Sequence, residues 1–365
     1  MPAPTAGHFR VGDEIARGGM GSILEAQDET LGRIVAMKRI RLERDADETA
    51  RRRFLREAST LARLEHPNIV PIHELGTDEE GRLFYVMKKV EGRTLQSVID
   101  GLRQGESSMV SEYPLSHLLT VFVKICDAVA FAHSRGIIHR DLKPDNVMIG
   151  EFGEVLVMDW GLAKTLLEEE PLPHEAELSN DDARLNMSML DDLFDGLLDE
   201  HGTQPPTGEP PGEGDLTLVG SVIGSPRFMS PEQATGRLQE IDTRSDVYSL
   251  GGILYAILTL SPPVEGETAA EVLSKVKSGV ITPPTRRSGS AAGNGDGRLD
   301  LETKRAELSG IRVPPALSAV TMRAMALRPG ERYATVPELA ADIEADLGGF
   351  ATSVEDLSFA EQFAL

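Results

Sequence analysis

Apolar and polar residues alternate in short runs over residues 9 to about 92, and a period of two is typical of strands. Residues 34–37 and 83–87 are two such runs. The stretch 45–64 between them differs, because its apolar residues recur at helical spacing and form one face. The pattern therefore predicts a strand-rich N-terminal part with one main helix. The residues of that apolar face are Phe54, Ala58, Leu61 and Leu64.

Helical patterns dominate from residue 95 onward, so a larger helical part should follow the strand-rich one. The predicted helices are 115–134, 246–260, 269–278, 315–326 and 336–347.

One stretch between the predicted helices 115–134 and 246–260 is strongly acidic. Residues 162–223 contain fifteen Asp and Glu against Lys164 and Arg184, so they carry −13 of the formal charge of −22, and the rest of the chain carries −9. The same stretch contains six prolines and several glycines, which is typical of an insertion between ordered parts. A second loop-like stretch, rich in Ser, Gly and Ala, runs from residue 283 to about 295.

Composition narrows the classes of function. A chain of 365 residues with 40% hydrophobic residues can bury a core and divide into two lobes. The negative charge disfavours a nucleic-acid partner. The one cysteine, Cys126, cannot form an intramolecular disulfide, so we expect a reducing, cytoplasmic compartment. No signal peptide is visible and the apolar run 247–260 is too short to cross a bilayer, so no membrane partner is predicted for this chain, although anchoring by a segment beyond it stays open.

Three motifs indicate chemistry. The first is the glycine-rich stretch 15–23, where closely spaced glycines allow a backbone to approach phosphate oxygens. By itself, such a stretch is more often only a hairpin turn. The second is the strand-like run 35–38, which ends in Lys38. If Lys38 points inward it needs an anionic partner, for which Glu57 is the candidate; otherwise Lys38 is exposed and Glu57 pairs with Arg53 on the helix surface.

The third motif is the run 139–146, followed by residues 157–161. Asp141, Asn146 and Asp159 supply oxygen ligands that suit Mg²⁺ and can orient a hydroxyl, while Lys143 can neutralise a phosphoryl group. Asp and Asn also abound in turns, but a run of eight such residues is improbable by chance.

Taken in order, these motifs resemble the protein kinase family, and among its branches the eukaryotic-like Ser/Thr kinases of bacteria. The resemblance covers about residues 9–348 and also includes residues 66–70, 224–232, 246–251 and Arg332. It implies an α+β, bilobal protein kinase fold, with a β-rich N-lobe and a larger helical C-lobe. The implied boundaries are an N-terminal extension 1–8, an N-lobe 9–88, a hinge 88–92, a C-lobe 93–348, an acidic insertion of about 165–216 and a tail 349–365.

The resemblance also implies an activity, which is transfer of the γ-phosphoryl group of ATP, with Mg²⁺, to Ser or Thr of protein substrates in signalling. Asp141 would accept the hydroxyl proton and Lys143 would contact the γ-phosphate. Asn146 and Asp159 would hold Mg²⁺. A buried ion pair between residues 232 and 332 would fix the substrate platform.

For the nucleotide, the resemblance implies that Lys38 holds the α- and β-phosphates once it is paired with Glu57. Residues 88–90 would form a hinge with backbone hydrogen bonds to adenine. The residues implied in binding ATP are Ile15, Ala16, Arg17, Gly18, Gly19, Met20, Gly21, Ser22, Ile23, Ala36, Lys38, Met87, Lys88, Val90 and Met148.

The chain departs from the family pattern at two positions near these motifs. Ala16 replaces the first loop glycine, for which we expect weaker nucleotide binding at most, and Trp160 replaces a phenylalanine, which bears on switching rather than on the metal site. Because the catalytic set is intact, a non-catalytic scaffold that binds nucleotide is disfavoured, and the segment 224–232 disfavours a small-molecule kinase.

The acidic insertion falls within the implied activation segment. Residues 184–198 have the pattern of an acidic amphipathic helix, which would dock on this protein's own lobe or on a partner and control access to the site, or else remain a solvated loop. Thr217, with Ser221 as the second choice, is the predicted autophosphorylation site, and Arg140 is the cation suited to anchor the phosphate.

Overall fold

The chain is described from a computed structural model that defines residues 5–18, 21–41, 48–165, 226–288 and 313–354. The described residues fall into two units. The first unit comprises the residues up to His66 together with Val70–Val90, and the second comprises Pro67–Ile69, residues 91–165 and everything described from residue 226 onward. The predicted helix 184–198 lies outside the described residues.

One antiparallel sheet of six strands makes up most of the first unit, in the order β1-β2-β3-β4-β6-β5. Helix α1, Glu48–Ala62, lies between β4 and β5 in the chain. It ends two residues before its predicted end, and the start predicted at residue 45 lies outside the described residues. The strands are β1 (Thr5–Ala6), β2 (Phe9–Arg17), β3 (Gly21–Asp28), β4 (Arg33–Ile40), β5 (Ile72–Thr77) and β6 (Leu83–Lys88).

Both faces of this sheet bury apolar residues. Phe54, Ala58 and Leu61 of α1 are buried, the helix contacts β5 and β6, and the ring of Phe54 lies 5.2 Å from that of Tyr85. Residues 83–87 are accordingly all buried, so this run is a strand covered on both faces and does not alternate between buried and exposed positions. A separate apolar cluster contains Phe9, Val11, Leu24, Ala26, Val35, Met37, Phe84 and Val86.

Helices make up most of the second unit, as the sequence predicts, so the α+β prediction is confirmed. The predicted helices 115–134, 269–278 and 336–347 have the observed bounds. The described helices are α2 (Leu95–Gln104), α3 (Ser107–Glu112), α4 (Leu115–Ser134), α5 (Pro231–Ala234), α6 (Thr243–Thr259), α7 (Ala269–Ser278), α8 (Pro284–Ser288), α9 (Pro315–Ala324) and α10 (Val336–Leu347).

Two helices of the second unit differ from their predicted bounds. Helix α6 begins at Thr243, three residues before the predicted start, because the side chain of Asp242 accepts a hydrogen bond from the backbone N–H of Arg244 and caps the helix, and it ends at Thr259, one residue before the predicted end. Helix α9 ends at Ala324 instead of residue 326, where Met325 closes the last turn through its backbone N–H.

Two small sheets in the second unit have strands of two to four residues, which are too short to show a period in the sequence. They flank the motifs of the predicted site. Strands β7, β9 and β10 form one sheet, and β8 pairs with β11 in the other. The strands are β7 (Gly92–Thr94), β8 (Ile137–Ile138), β9 (Val147–Gly150), β10 (Val155–Val157) and β11 (Lys164–Thr165).

Helix α4 runs through the core of the second unit and contacts α6 and α10. Within the described part of the chain, it is the one helix long and apolar enough to cross a membrane. Core helices pass the same test, and Phe122, Ile125, Cys126 and Val129 of α4 have no exposed surface in this structure. Burial also raises the pKa of the Cys126 thiol well above its usual value, so this residue acts as a core side chain.

Candidate active site

The predicted pair Lys38 and Glu57 is joined in the first unit. Strand β4 places Lys38 opposite Tyr85 of β6, and α1 turns Glu57 inward one turn after Phe54. The Lys38 Nζ atom lies 2.5 Å from Glu57 Oε1, and the Tyr85 hydroxyl donates to the same oxygen at 2.7 Å. Their side chains are 14% and 1% exposed, so the surface alternative in which Glu57 pairs with Arg53 is wrong.

The glycine-rich stretch forms the turn between β2 and β3. The backbone N–H of Gly18 donates to the carbonyl of Gly21 at 2.9 Å, which closes the turn. A Cβ atom on Gly21 would lie 2.7 Å from the carbonyl oxygen of Arg39, so packing within the sheet already requires glycine there. Gly19 and Met20 lie outside the described residues.

The other residues implied in binding ATP lie in both units. Ile15, Ala16 and Arg17 are exposed on β2, and Arg17 donates to Glu14 at 2.8 Å. Ser22 and Ile23 are half-buried on β3. Ala36 and Met87 are buried partners across β4 and β6, and Lys88 at the end of β6 is exposed. Val90 is half-buried, as is Met148 on β9 of the second unit.

Asp141, Lys143 and Asn146 lie together in the loop between β8 and β9. Lys143 Nζ donates to Asp141 Oδ2 at 2.7 Å, and Asn146 Nδ2 donates to the Asp141 carbonyl at 2.7 Å and to Oδ2 at 3.1 Å. Neither side chain bonds to Oδ1 of Asp141. The Asp141 carboxylate is thereby held in one orientation by a cation and an amide, with its other oxygen available as a proton acceptor.

Asp159 follows β10, and the backbone joins this segment to the same loop. The N–H of Met158 donates to the carbonyl of Asn146 at 2.8 Å, and a ring nitrogen of His139 lies 3.1 Å from the carbonyl of Met158. Trp160 is 1% exposed, and its ring centroid lies 4.4 Å from that of His139. The second unit thus brings Asn146 and the segment carrying Asp159 together, and it accommodates the larger ring of Trp160.

Asp246 anchors this loop, a role that the sequence did not predict. Its carboxylate lies within α6 and has no exposed surface. Oδ2 accepts from the backbone N–H of His139 at 2.8 Å and lies 2.8 Å from His133 Nε2, while Oδ1 accepts from the N–H of Arg140 at 2.9 Å. Burial alone would raise the pKa of Asp246, but the bond from His133 and these backbone donors hold it below its usual value.

Two residues of the site have an unusual backbone conformation. Within the described ranges, three non-glycine residues have positive φ, and two of them are Arg140 at 69° and Asp159 at 60°. Such conformations cost on the order of 1–3 kcal/mol and persist where the surroundings fix them. The backbone N–H of Arg140 donates to Asp246. The backbone N–H of Met158, next to Asp159, donates to the carbonyl of Asn146. The strain therefore lies next to the predicted catalytic residue Asp141 and at the predicted metal ligand Asp159.

The segment from Ser230 attaches to the same loop. Gln233 Nε2 donates to the carbonyl of Arg140 at 2.8 Å, and its Oε1 accepts from Ser230, which caps α5. The Arg140 guanidinium is half-buried, and its Nε has no hydrogen-bond partner among the described residues. Burial lowers the pKa of Arg140.

The predicted ion pair between Glu232 and Arg332 is present and bidentate, at 2.8 and 2.9 Å. Ser245 donates to Glu232 Oε1 at 2.6 Å, and Arg332 Nη1 also donates to the carbonyl of Arg244. Burial alone would raise the pKa of Glu232, but Arg332 holds it below its usual value. Because every charge here has partners, the pair can be fully buried and fix the segment at residue 232.

The donor set of the second unit fits Mg²⁺. Because Asn146 donates through Nδ2, its carbonyl oxygen remains for a cation, and Asp159 adds a carboxylate. In the described part of the chain, no three His, Cys, Asp or Glu form a group that could hold a metal by themselves. That agrees with Mg²⁺ bound through one or two protein groups and completed by phosphates and water.

The candidate phosphorylation sites Thr217 and Ser221 lie outside the described residues. Three functional residues were missed by the sequence reasoning, namely Tyr85, His133 and Gln233. Each acts through a hydrogen bond to a residue far away in the chain, and its own neighbours in the sequence give no signal.

The family model that matches this chain and the similar curated proteins are all protein kinases. Residues 9–179 match the family model described as a protein kinase domain. Serine/threonine-protein kinase PknD of Chlamydia caviae is 34% identical over 338 residues, which are 92% of this chain and 30% of that protein. The PknD of Chlamydia abortus is 33% identical over 347 residues, 94% of this chain and 31% of that protein. The chain thus spans about a third of the length of the curated relatives it matches.

Proposed function

Because the chain belongs to the Ser/Thr protein kinase family, we propose that it transfers the γ-phosphoryl group of ATP to Ser or Thr hydroxyls of protein substrates. The observation that carries this proposal is the arrangement of the Asp141 loop. One carboxylate is oriented by Lys143 and Asn146, and the loop backbone is bonded to the buried Asp246. Phosphoryl transfer depends on positioning and electrostatics and needs no covalent nucleophile, so such a rigid group of charges suits it.

In this reaction Asp141 orients the acceptor hydroxyl and takes its proton through Oδ1, which neither Lys143 nor Asn146 occupies. Lys143 lies beside this carboxylate and supplies positive charge for the transferring phosphoryl group. Asn146 and Asp159 would hold Mg²⁺, which when bound neutralises charge on the phosphates. The positive φ of Arg140 and of Asp159 fixes the directions of these groups in advance.

The first unit would hold the nucleotide. Lys38, positioned by Glu57 and Tyr85, supplies a cation for the α- and β-phosphates. Gly18 and Gly21 keep the turn between β2 and β3 narrow, and the buried Ala36 and Met87 offer an apolar surface for the base. The exposed Ile15 adds an apolar side chain on β2.

Regulation by autophosphorylation at Thr217 or Ser221 is part of the proposal, with a signalling role in the cytoplasm. Its support is Arg140, whose half-buried Nε has no partner among the described residues and could donate a hydrogen bond to a phosphate oxygen. We expect phosphopeptide mapping of the purified protein to find one of these residues modified. Full activity with both residues unmodified would contradict this part of the proposal.

The direct test is incubation with labelled ATP and Mg²⁺, with and without a generic basic protein as acceptor. We expect label in Ser or Thr of the protein and of the acceptor. Asp141→Asn should lower the turnover number on the order of 10²- to 10⁴-fold, which is the usual contribution of a general base, and leave nucleotide binding unchanged. Equal turnover in the variant and the unmodified protein would contradict the proposed role.

A further inference from the structure

The outer face of α1 is made of arginines. From Ala50 to Arg63, every fully exposed residue is an arginine, and the acidic residue in this stretch, Glu57, is buried and bound to Lys38. The chain outside residues 162–223 carries a net charge of −9, so this face has the opposite sign to most of the molecule. The exposed residues are Arg52, Arg53, Arg56 and Arg63. We call them the arginine face.

Such a face is unfavourable for the helix that carries it. Arg52 and Arg56 are four residues apart and Arg53 and Arg56 are three apart, so each pair places like charges side by side, and each pair costs on the order of 0.2–0.5 kcal/mol. Carboxylates bound to this face would relieve this repulsion.

For three of these four arginines, the described residues supply no carboxylate. Arg53, Arg56 and Arg63 have no carboxylate within 4 Å among residues 5–18, 21–41, 48–165, 226–288 and 313–354. The distribution of charge in the sequence indicates another source of carboxylates for this face. Residues 168–182 contain seven Asp and Glu and neither Lys nor Arg, the most acidic stretch of the insertion.

We propose that the arginine face of α1 is a docking surface for residues 168–182 of the same chain. The argument is charge complementarity between a face composed only of arginines and a segment whose charged groups are all carboxylates. An intramolecular segment binds at a high effective concentration, so several weak ion pairs suffice to hold it. Because α1 also presents Glu57 to Lys38 from its buried side, the docked segment stabilises the helix that positions Lys38.

The proposal is tested by zero-length cross-linking of the full-length protein. The double variant Arg53→Lys/Arg56→Lys keeps the charge and adds two primary amines, which a carbodiimide couples to carboxylates in direct ion pairs. We expect cross-links from positions 53 and 56 to the peptide containing residues 168–182. The pairs Lys38–Glu57 and Lys89–Glu25, at 2.5 and 2.6 Å, are internal positive controls for coupling.

Mixing isotope-labelled with unlabelled protein separates contacts within one chain from contacts between copies. Cross-links within one chain support the proposal. Cross-links that join two chains, or coupling at Lys89–Glu25 without any coupling to residues 168–182, overturn it. The readout is structural, so a failure here leaves the proposed kinase activity untouched, and an inactive protein can still show the contact.

A charge-reversal series gives a second measurement. Arg53→Glu/Arg56→Glu removes the repulsion between arginines as well as the docked segment. Because docking would involve several ion pairs, its loss should outweigh the relief of repulsion and accelerate backbone hydrogen exchange in residues 50–63 roughly threefold to fivefold. Adding Glu168→Lys/Glu169→Lys/Glu170→Lys should restore slow exchange. The control Arg135→Glu/Lys277→Glu changes the net charge equally at exposed positions of the second unit. Equal acceleration in the control, or no restoration by the lysine substitutions, would refute docking.

Discussion

The two parts of the predicted site are held in place by different means. In the second unit, the backbone of the catalytic loop is bonded directly to the carboxylate of Asp246, which is entirely buried. In the first unit, the side chain of Glu57 binds Lys38 and also accepts a hydrogen bond from Tyr85. The second carboxylate oxygen of Glu57 is buried without a hydrogen-bond partner among the described residues.

This difference indicates which part can change. A backbone fixed to a buried carboxylate by several bonds cannot move without leaving donors unpaired, so the groups on it are preorganised. A single ion pair between a strand and a helix separates when the helix shifts. We therefore expect the loop of Asp141 to be constant and the pairing of Lys38 with Glu57 to be the adjustable element of the site.

The largest effect is expected from Asp246→Ala. The substitution leaves three buried donors unpaired, the N–H groups of His139 and Arg140 and the ring nitrogen of His133. Each costs about 1–3 kcal/mol, so the free energy of unfolding should fall by about 3 kcal/mol or more. Turnover should fall by about 100-fold or more, because the loop loses its fixed geometry. Urea denaturation and steady-state kinetics measure the two changes.

The matched control is Asp127→Ala, which removes an exposed carboxylate of α4 and should change stability by less than about 0.5 kcal/mol. If Asp246→Ala were as stable as this control, the loop would be held by something other than the buried carboxylate.

Glu57→Gln should lower activity with a smaller loss of stability. The amide oxygen can still accept from Tyr85, but Lys38 is left as a largely buried cation without a charged partner. Because Lys38 keeps some contact with solvent, stability should fall by about 1–3 kcal/mol, less than in Asp246→Ala. Lys38 loses its charged partner, and turnover should fall on the order of 10- to 100-fold through misplacement of the cation. Kinetics and urea denaturation of the same preparation test this. A loss of stability as large as that of Asp246→Ala would remove the contrast between the two units.

Low pH should lower the stability of the second unit. The pKa values of Asp246 and Glu232 are below their usual values of about 3.9 and 4.3, so their contributions to stability are complete above those values and are lost as the pH falls through the lower folded pKa values. We expect constant stability from about pH 7 to pH 5 and a steep decline below about pH 4. The chain has one tryptophan, Trp160, which is buried in the second unit, so its fluorescence follows that unit during denaturation.

Glu232→Gln removes one of the two titrating groups and should make this decline shallower. An unchanged pH dependence in that variant would show that other carboxylates dominate.

The sequence predicts what depends on periodicity and on local spacing. The bounds of α4 are read correctly because its apolar residues keep a helical period over five turns, and Glu57 is read correctly because its helical phase places it on the buried side with Phe54. In the sequence, Asp246 stands out only as the first residue of the segment 246–251, which resembles the kinase family. Its bonds go to backbone N–H groups 106 and 107 positions away, and backbone donors have no residue-specific signature.

The short strands β7 to β11 cannot be predicted from the sequence, for a different reason. With two to four residues each, they contain too few positions to show alternation, and they form because neighbouring segments supply their hydrogen bonds. Yet β8, β9 and β10 place Asp141, Asn146 and Asp159. The residue types of the site can thus be read from the sequence, while their relative placement depends on contacts between distant segments.

The smallest effect is expected at Ala16, where the family pattern has a glycine. Ala16 is exposed, pairs with Ile23 across β2 and β3, and is not among the described non-glycine residues with positive φ, so its methyl group fits the strand without strain. Ala16→Gly should therefore change the KM for ATP by less than about twofold and lower stability by about 0.5–1 kcal/mol, the usual cost of glycine within a strand. Gly21→Ala is the contrasting variant, because its Cβ would meet the Arg39 carbonyl at 2.7 Å and should disturb the turn itself. A tenfold lower KM on restoring glycine at position 16 would show that Ala16 limits nucleotide binding.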